Sequence, residues 1–321
     1  MKLITYFFVL ISLTLVLSIV LYKIAFEIKD LKPEKMNITY IDIRNITSYN
    51  SEDLQFYPNM RFNHNLITFK IDSACDISKT EKIMLAMNRI ENETQKLIVF
   101  QKIEEEPDIF ISCNETEETK KRFVPTYFIA GEGGVESAVE TGLFHVIEKG
   151  KVLLYYKDVK SCMNYNIELH ELLHVFGFKH SDNEKSIMYS VSECGQVLTQ
   201  DIISKLNSLY SIEPLPDLAF FDLSVSRQGI YLNFEAEIKN QGLLQADNIF
   251  LKIISDIDSK QKTIQTFDIG TIDYGEGKTL TVENLRLPLT FRDIKSINFV
   301  IDYPRQEISK ENNKIAFSFI N

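Results

Sequence analysis

The stretch His170-Glu-Leu-Leu-His174-Val-Phe-Gly177-Phe-Lys-His180 carries three of the five histidines of this 321-residue chain. On a helix, His170 and His174 lie four positions apart, so both imidazoles project from one face with about 6 Å of axial rise between them. Gly177 lies at the position where the helix would end and the chain turn back, and a glycine accepts the φ > 0 that such a turn often needs. The turn would bring His180 to the same point. Three imidazoles with one open position are typical of a catalytic zinc site.

Glu171 directly follows the first of these histidines. Its carboxylate would lie beside the metal, where it can take a proton from a water molecule, so we interpret it as a general base and not as a ligand. Two histidines and a glutamate also occur on amphipathic helices that bind no metal. A chance match is far less expected for three histidines, one glutamate and one glycine at this spacing. The alternative to a zinc site is therefore a degenerate relative that has lost the zinc.

The residues after His180 read Ser181-Asp-Asn-Glu-Lys-Ser186-Ile-Met-Tyr189. From this point the chain resembles the metzincin metallopeptidases, in particular the matrixin branch. The resemblance implies that Met188 is the methionine of the Met-turn, which lies under the zinc ligands. It also implies one catalytic zinc ion held by His170, His174 and His180.

The resemblance covers about residues 64–210 and implies an α+β domain with a twisted mixed sheet and a zinc helix. Its other matching segments are Leu66–Ile71 as a strand, Thr80–Gln95 as a helix, Pro107–Ser112 as a strand and Leu198–Tyr210 as the closing helix. The chain departs from the family at Ser190, where matrixins usually have proline, and it has no second histidine cluster for a structural zinc. Archaemetzincins share the long motif but follow it with several cysteines, whereas only Cys194 follows it here.

The segment before the zinc motif contains Gly131-Glu-Gly-Gly134, which we interpret as a flexible loop. We predict a hairpin after it, with strands at Leu143–Glu148 and Lys151–Tyr156 and a Lys149-Gly150 turn. The resemblance implies that an edge strand in this region pairs with an extended peptide substrate. The candidate substrate-binding residues are Gly142, Leu143, Phe144, His145 and Val146.

Composition and charge narrow the class of partners. The chain is 45% hydrophobic and 25% charged, which is ordinary for globular proteins, and its length allows two domains. The net charge of −10 and the scattered basic residues argue against a nucleic acid partner.

Leu3–Tyr22 contains no charged residue and is long enough to span a bilayer as a helix. No cleavage site is evident before Lys23, so we expect residues 1–23 to be an uncleaved signal-anchor and residues 24–62 to be a stalk. The lysines after the span favour a cytoplasmic body, but sequons at Asn37, Asn45, Asn92 and Asn114 and the four cysteines favour an extracytoplasmic one. We expect a single-pass membrane protein with an extracytoplasmic body.

The four cysteines Cys75, Cys113, Cys162 and Cys194 allow three pairings. We expect Cys162 to pair with Cys194, because these two residues bracket the zinc helix and the Met-turn, and Cys75 to pair with Cys113. The alternative is four reduced, buried thiols.

Glu213-Pro-Leu-Pro216 separates the candidate peptidase domain, residues 63–212, from an all-β region, residues 213–321. Apolar residues alternate with polar ones from Ile230 to Ile238, which is typical of a strand with one buried face. Six more such runs lie near 218–226, 248–255, 262–270, 278–287, 296–303 and 313–320. Seven short strands predict an immunoglobulin-like sandwich. The Pro216-Asp-Leu start and the Lys239-Asn-Gln-Gly242 turn resemble the CARDB domain, an adhesion-related module.

Two hypotheses follow. The first is a membrane-anchored zinc endopeptidase that acts on a protein or peptide substrate, with a protein- or glycan-binding sandwich. The second is a surface adhesion protein that keeps the zinc fold without turnover. Glu171 favours the peptidase, because an adhesion module has no chemical need for a base.

Overall fold

The computed structural model describes residues 25–31, 35–37, 54–113, 130–155, 165–257, 260–287 and 296–318. The apolar run Leu3–Tyr22 lies outside them. No helix of the described part is both long and apolar enough to cross a membrane. The membrane helix at residues 1–23 therefore stays a prediction.

The helices and strands of the described residues lie in two parts of the sequence, before and after residue 213. The first contains β1 (Ala25–Leu31), β2 (Lys35–Asn37), β3 (Met60–Phe62), β4 (Leu66–Ile71), α1 (Ile77–Glu93), β5 (Val99–Lys102), β6 (Ile109–Ser112), β7 (Gly131–Glu140), β8 (His145–Leu154), α2 (Asn166–Val175) and α3 (Gln200–Tyr210). The second contains β9 (Leu218–Gln228), β10 (Tyr231–Asn240), β11 (Ala246–Ile257), β12 (Lys260–Ile272), β13 (Gly277–Arg286), β14 (Ser296–Asp302) and β15 (Lys314–Ser318).

A mixed sheet with the strand order β2-β7-β8-β6-β4-β5 forms the first domain, and the short β3 also pairs with β8. β8, β6, β4 and β5 are parallel, whereas β7 is antiparallel to β8. Helix α1 begins where the Asp76 carboxylate accepts a hydrogen bond from the Lys79 amide, at 2.8 Å. Helix α2 packs against β7, β8 and α1. This is an α+β fold with a twisted mixed sheet, as the sequence predicts.

The hairpin expected around Lys149-Gly150 is wrong, because β8 continues through both residues. A Cβ atom at Gly150 would lie 2.3 Å from Cγ1 of Val175. The glycine therefore allows α2 to pack closely on the strand and does not form a turn.

The seven C-terminal strands and β1 form two four-stranded sheets, with strand orders β1-β13-β10-β9 and β12-β11-β14-β15. Their inner faces share one apolar core, in which the Phe234 ring packs edge-on against Phe267 and Phe299, with centroids 5.8 and 5.1 Å apart. The alternating burial of β10 matches the pattern read from Ile230 to Ile238. Each of the seven predicted runs contains a strand.

The stalk expected at residues 24–62 contains paired strands in the parts that the structure describes. β1 pairs with β13 from Ala25 opposite Glu283 to Leu31 opposite Gly277, and thus adds an eighth strand to the sandwich. β2 pairs with β7 in the first domain. The alternation of Phe26 and Ile28 with Glu27 and Lys29 is compatible with a strand. The strands were missed because their pairing partners lie far away in sequence.

The first domain also begins before residue 63. Gln55, Met60, Arg61 and Phe62 are buried. The Arg61 guanidinium donates hydrogen bonds to the carbonyls of Leu209 and Ile212 and lies over the Tyr210 ring. Arg61 thereby joins the start of the domain to the carboxyl end of α3, where unpaired carbonyls favour a cation.

A small apolar cluster joins the two domains. Phe144 and Val146 are buried together with Leu243 of the sandwich. The Thr141 hydroxyl donates a hydrogen bond to the Gln241 carbonyl at 2.7 Å. The turn between β7 and β8 therefore rests on the sandwich.

The structure contains the expected disulfide between Cys75 and Cys113, with the two Cα atoms 5.0 Å apart. It connects the loop before α1 to the end of β6. Cys194 is also disulfide-bonded. Cys162 lies outside the described residues, so the pairing of Cys162 with Cys194 stays a prediction.

Candidate active site

Helix α2 ends in a turn that the sequence of the motif requires. The Phe178 amide donates to the Leu173 carbonyl and the Gly177 amide to the His174 carbonyl, which is the Schellman arrangement of a helix end. Gly177 has φ +82°, and a Cβ atom there would lie 2.5 Å from Sδ of Met60. Glycine is therefore needed both for the backbone and for the packing. The chain then turns back and brings His180 to the helix.

The Nε2 atoms of His170, His174 and His180 converge on one point. The distances between them are 3.0 Å for His170 and His174, 3.2 Å for His170 and His180, and 3.3 Å for His174 and His180. A tetrahedral zinc ion with Zn–N bonds of about 2.0–2.1 Å separates two ligand nitrogens by about 3.3–3.4 Å. The three imidazoles fit that geometry with little adjustment. In the described residues they are the one cluster of His, Cys, Asp or Glu that could hold a metal ion.

The other ring nitrogens fix the tautomers of the two helix histidines. Nδ1 of His170 lies 2.7 Å from the Ile187 carbonyl oxygen, and Nδ1 of His174 lies 2.7 Å from that of Phe178. A carbonyl oxygen accepts only, so each Nδ1 carries the proton and each Nε2 offers its lone pair to a metal. Burial lowers the pKa of His170 to about 4 and that of His174 well below its usual value. Both rings are thus neutral at pH 7, which is the ligand form.

The segment around Met188 is hydrogen-bonded to the first candidate ligand and to the residue after the third. Met188 is buried, and its carbonyl accepts a hydrogen bond from the Ser181 amide at 2.8 Å. The Ile187 amide donates to the Val197 carbonyl, while the Ile187 carbonyl holds His170. The turn therefore connects Ser181, the residue after the third histidine, to the first ligand.

Glu171 is buried against β7, between the zinc helix and the sheet. A Cβ atom at Gly131 would lie 2.9 Å from Cγ of Glu171, and one at Gly133 would lie 2.0 Å from its carbonyl oxygen. Burial raises the pKa of Glu171 to about 8, although a backbone hydrogen bond from Gly133 favours the ionised form. Beside a bound dication the ionised carboxylate would be favoured further.

The Gly131–Gly134 segment is a strand and not the expected flexible loop. Sequence analysis did not recognise it as part of the site. The signal was available in the cluster of glycines, because residues without a Cβ atom mark places where two backbones approach closely.

The expected substrate-binding strand, Gly142–Val146, has no free edge for a peptide. Residues His145–Ile147 pair with β3 on one side, and residues His145 and Val146 pair with β7 on the other. Phe144 and Val146 face the sandwich, and only Leu143 is an exposed apolar residue there. This part of the prediction is wrong, because β8 is an inner strand of the sheet.

The two remaining histidines have structural partners outside the cluster. Nδ1 of His145 lies 2.8 Å from the Pro58 carbonyl oxygen, and its ring stacks on Tyr57. Nε2 of His64 lies 2.9 Å from the Asp108 carboxylate. Neither residue joins the three candidate ligands.

Three converging imidazoles beside a buried carboxylate form a candidate catalytic zinc site. Residues 61–211 match the family model of the matrixins. The chain is also similar to a solved structure, high choriolytic enzyme 1, a hatching enzyme zinc-protease from the medaka fish Oryzias latipes. The two are 17% identical with a TM-score of 0.31, and the match covers 51% of this chain and 98% of that one. No curated protein matches the chain.

Proposed function

We propose that the chain is a zinc-dependent endopeptidase in which Glu171 acts as the general base. The observation that carries the proposal is the convergence of three neutral imidazoles next to a buried carboxylate. A zinc ion held by His170, His174 and His180 would acidify a water molecule and polarise the scissile carbonyl. Glu171 accepts the proton of that water and returns it to the leaving amine.

The substrate is proposed to add to the outer edge of β7. Strand β8 covers one edge of β7, and among the described residues only β2 pairs with the other, at Ser137–Val139. We propose that an extended peptide pairs with β7 on that side, near Gly131 and Gly133. Because Gly131 and Gly133 touch Glu171, a peptide bound there lies next to the base.

The experiment compares Glu171→Gln with Glu184→Gln, a substitution at an exposed carboxylate of the Met-turn segment. Both proteins are incubated with a peptide library, and zinc content is measured in parallel. We expect Glu171→Gln to retain one zinc per chain and lose activity by about 10²–10⁴-fold, with Glu184→Gln unchanged. The role of Glu171 is rejected if the Glu171→Gln protein cleaves within threefold of wild type. Loss of cleavage by wild type after chelation and recovery with zinc tests the metal separately.

We further propose that Leu3–Tyr22 anchors the chain in a membrane with its body outside the cytoplasm. The support is the uncharged run, the sequons and the disulfide between Cys75 and Cys113. Since β1 begins at Ala25, the sandwich would lie next to the bilayer, where a CARDB-like module could bind a surface protein or glycan. Protease added to intact cells should then remove the body, whereas survival of the body until permeabilisation would show the opposite orientation.

A further inference from the structure

The turn between the second and third candidate ligands pairs with a segment at the start of the first domain. The Phe56 amide donates a hydrogen bond to the Gly177 carbonyl at 2.9 Å, and the Lys179 amide donates one to the Leu54 carbonyl at 3.0 Å. The two segments form a short antiparallel bridge. The backbone that leads to the third ligand is therefore held by residues far earlier in the chain.

Gln55 lies in the middle of this pairing and is buried. Its side-chain amide donates hydrogen bonds to the carbonyls of Met60 and Phe176, both at 2.8 Å, and its oxygen accepts one from the Met60 amide at 3.2 Å. Both amide hydrogens are thus used, which fixes the orientation of the side chain. Phe176 is the C-cap of α2, where helix carbonyls lack partners within the helix. Gln55 satisfies this carbonyl from outside and ties it to Met60, which lies against Gly177.

Two of the three candidate ligands depend on the position of this turn. Nδ1 of His174 donates to the Phe178 carbonyl, so the backbone of Phe178 orients the second ligand. His180 directly follows Lys179, and its ring contacts the other two imidazoles. In the described part of the chain, no carbonyl is hydrogen-bonded to the His180 ring, in contrast to the rings of His170 and His174. The place of the third ligand is therefore set by the backbone of the turn.

We propose that Gln55 is a positioning residue of the zinc site, whose amide holds the turn where His180 reaches the metal. The inference rests on the proposed function, because that function supplies the zinc, but it is tested through zinc binding and not through turnover. The role is preorganisation. Without the amide, zinc must also order the turn when it binds, and this cost weakens the affinity. A purely structural Gln55 would stabilise the fold and leave the affinity for zinc unchanged.

The test titrates zinc-free, full-length proteins with zinc in competition with a chelator. Gln55→Met keeps the length of the side chain and removes all of its hydrogen bonds. Thr68→Val is the matched control in β4 of the same domain. It keeps the shape and removes a hydroxyl that donates to the Asp108 carboxylate at 2.6 Å and accepts from the Asp108 amide at 3.0 Å. Denaturant unfolding of both variants shows how far each one is destabilised.

We expect Gln55→Met to weaken zinc binding by about 10–100-fold, the usual effect of losing a group that orients a metal ligand, and Thr68→Val to stay within about threefold of wild type. The effect of Gln55→Met should be at least about threefold smaller in the His180→Ala background, because the ligand that it positions is then missing. Hydrogen exchange of the Lys179 amide should be faster in zinc-free Gln55→Met than in zinc-free wild type.

A second pair of variants tests the same pairing through the backbone and decides alone if Gln55→Met does not fold. Phe56→Pro removes the amide that donates to Gly177, whereas Phe56→Ala keeps it, and both lack the ring. The proline variant should bind zinc at least about threefold more weakly than the alanine variant, as expected for one net hydrogen bond.

Equal zinc affinity of Gln55→Met and Thr68→Val would overturn the inference. It is also overturned if the effect of Gln55→Met is undiminished in the His180→Ala background, or if the two Phe56 variants bind zinc equally. If wild type binds zinc but cleaves no peptide, the proposed function fails and the zinc titrations still decide the role of Gln55. If wild type binds no zinc, both fail.

Discussion

At the residue scale, Gly133 shows how one missing side chain sets the geometry of the candidate site. A Cβ atom there would lie 2.0 Å from the Glu171 carbonyl oxygen and 2.6 Å from its carbonyl carbon. Both atoms belong to the backbone of α2. Relief of the clash would therefore move the helix that carries His170, Glu171 and His174.

We expect Gly133→Ala to lower the free energy of unfolding by about 1–3 kcal/mol, the usual cost of overpacking. A helix displaced by about 1 Å should also reduce kcat/KM by on the order of 10²-fold. Denaturant unfolding and peptide hydrolysis measure the two effects. Gly134→Ala is the matched control, because nothing lies within 4 Å of a Cβ atom there. Equal behaviour of the two variants would show that the close approach has no functional consequence.

The third ligand is tested by His180→Ala, with His145→Ala as its control. The Nε2 atom of His180 lies within 3.3 Å of the other two, whereas the His145 ring binds the Pro58 carbonyl. Metal analysis after dialysis should find much less than one zinc per chain in His180→Ala. The His145→Ala protein should retain one. Undiminished zinc in His180→Ala would refute its role as a ligand.

Met188 is expected to act by packing, since it is buried in the core that includes Leu169, Leu172 and Leu173. Met188→Leu conserves volume and should cost less than about 1.5 kcal/mol of unfolding free energy, with zinc and most activity retained. Met188→Ala leaves a cavity and should cost about 2–5 kcal/mol. Complete loss of zinc in the leucine variant would indicate a direct role for the sulfur atom.

The cluster of candidate ligands and the position of Glu171 beside it could be predicted from sequence because their geometry is local. A helix and one turn fix His170, Glu171, His174 and His180 relative to each other within eleven residues. Gly133 contacts Glu171 from a strand far earlier in the chain. No local pattern predicts that contact, and the predicted substrate-binding segment fell on an inner strand of the sheet.

At the element scale, the disulfide between Cys75 and Cys113 joins two residues with a sequence separation of 38. The loop that it closes contains α1, β5 and β6. Such a loop restricts the unfolded chain, and the entropy model gives about 4 kcal/mol for this length. Replacing both cysteines by alanine should lower the free energy of unfolding by about 2–4 kcal/mol and leave zinc bound. Denaturant titration and metal analysis measure these quantities. Unchanged stability would mean that the unfolded chain gains little freedom when this link is lost.

The strands of the sandwich could be predicted from the sequence pattern, but their order in the sheets could not. Alternation within each run predicts a half-buried strand, and all seven runs contain one. The order β1-β13-β10-β9 depends on which strands meet, and alternation does not specify partners. For this reason the seven strands were found and the eighth, β1, was missed.

At the scale of the whole molecule, the N-terminal segment belongs to both domains. β1 completes one sheet of the sandwich and β2 extends the sheet of the peptidase domain. Neither domain is therefore a contiguous piece of sequence. A fragment that starts at residue 63 or at residue 213 lacks a strand of the fold it is meant to contain.

This organisation is tested by two deletions. Removing residues 1–31 takes away β1 and exposes the backbone edge of β13, whereas removing residues 1–22 leaves β1 in place. We expect the longer deletion to lower the thermal stability of the sandwich and to cause concentration-dependent self-association through the open edge. Scanning calorimetry and analytical ultracentrifugation measure both effects. Identical behaviour of the two deletions would show that β1 contributes nothing to the sandwich.

The pairing of β1 with β13 also sets an order of events during synthesis. Ala25 leaves the ribosome early, but its partner Glu283 follows about 250 residues later. β2 finds β7 after about 100 residues, so the peptidase domain can close first. Throughout that interval β1 is an unpaired strand, open to other strands and to chaperones. Residues as far as Glu283 must therefore be synthesised before β1 can reach its place.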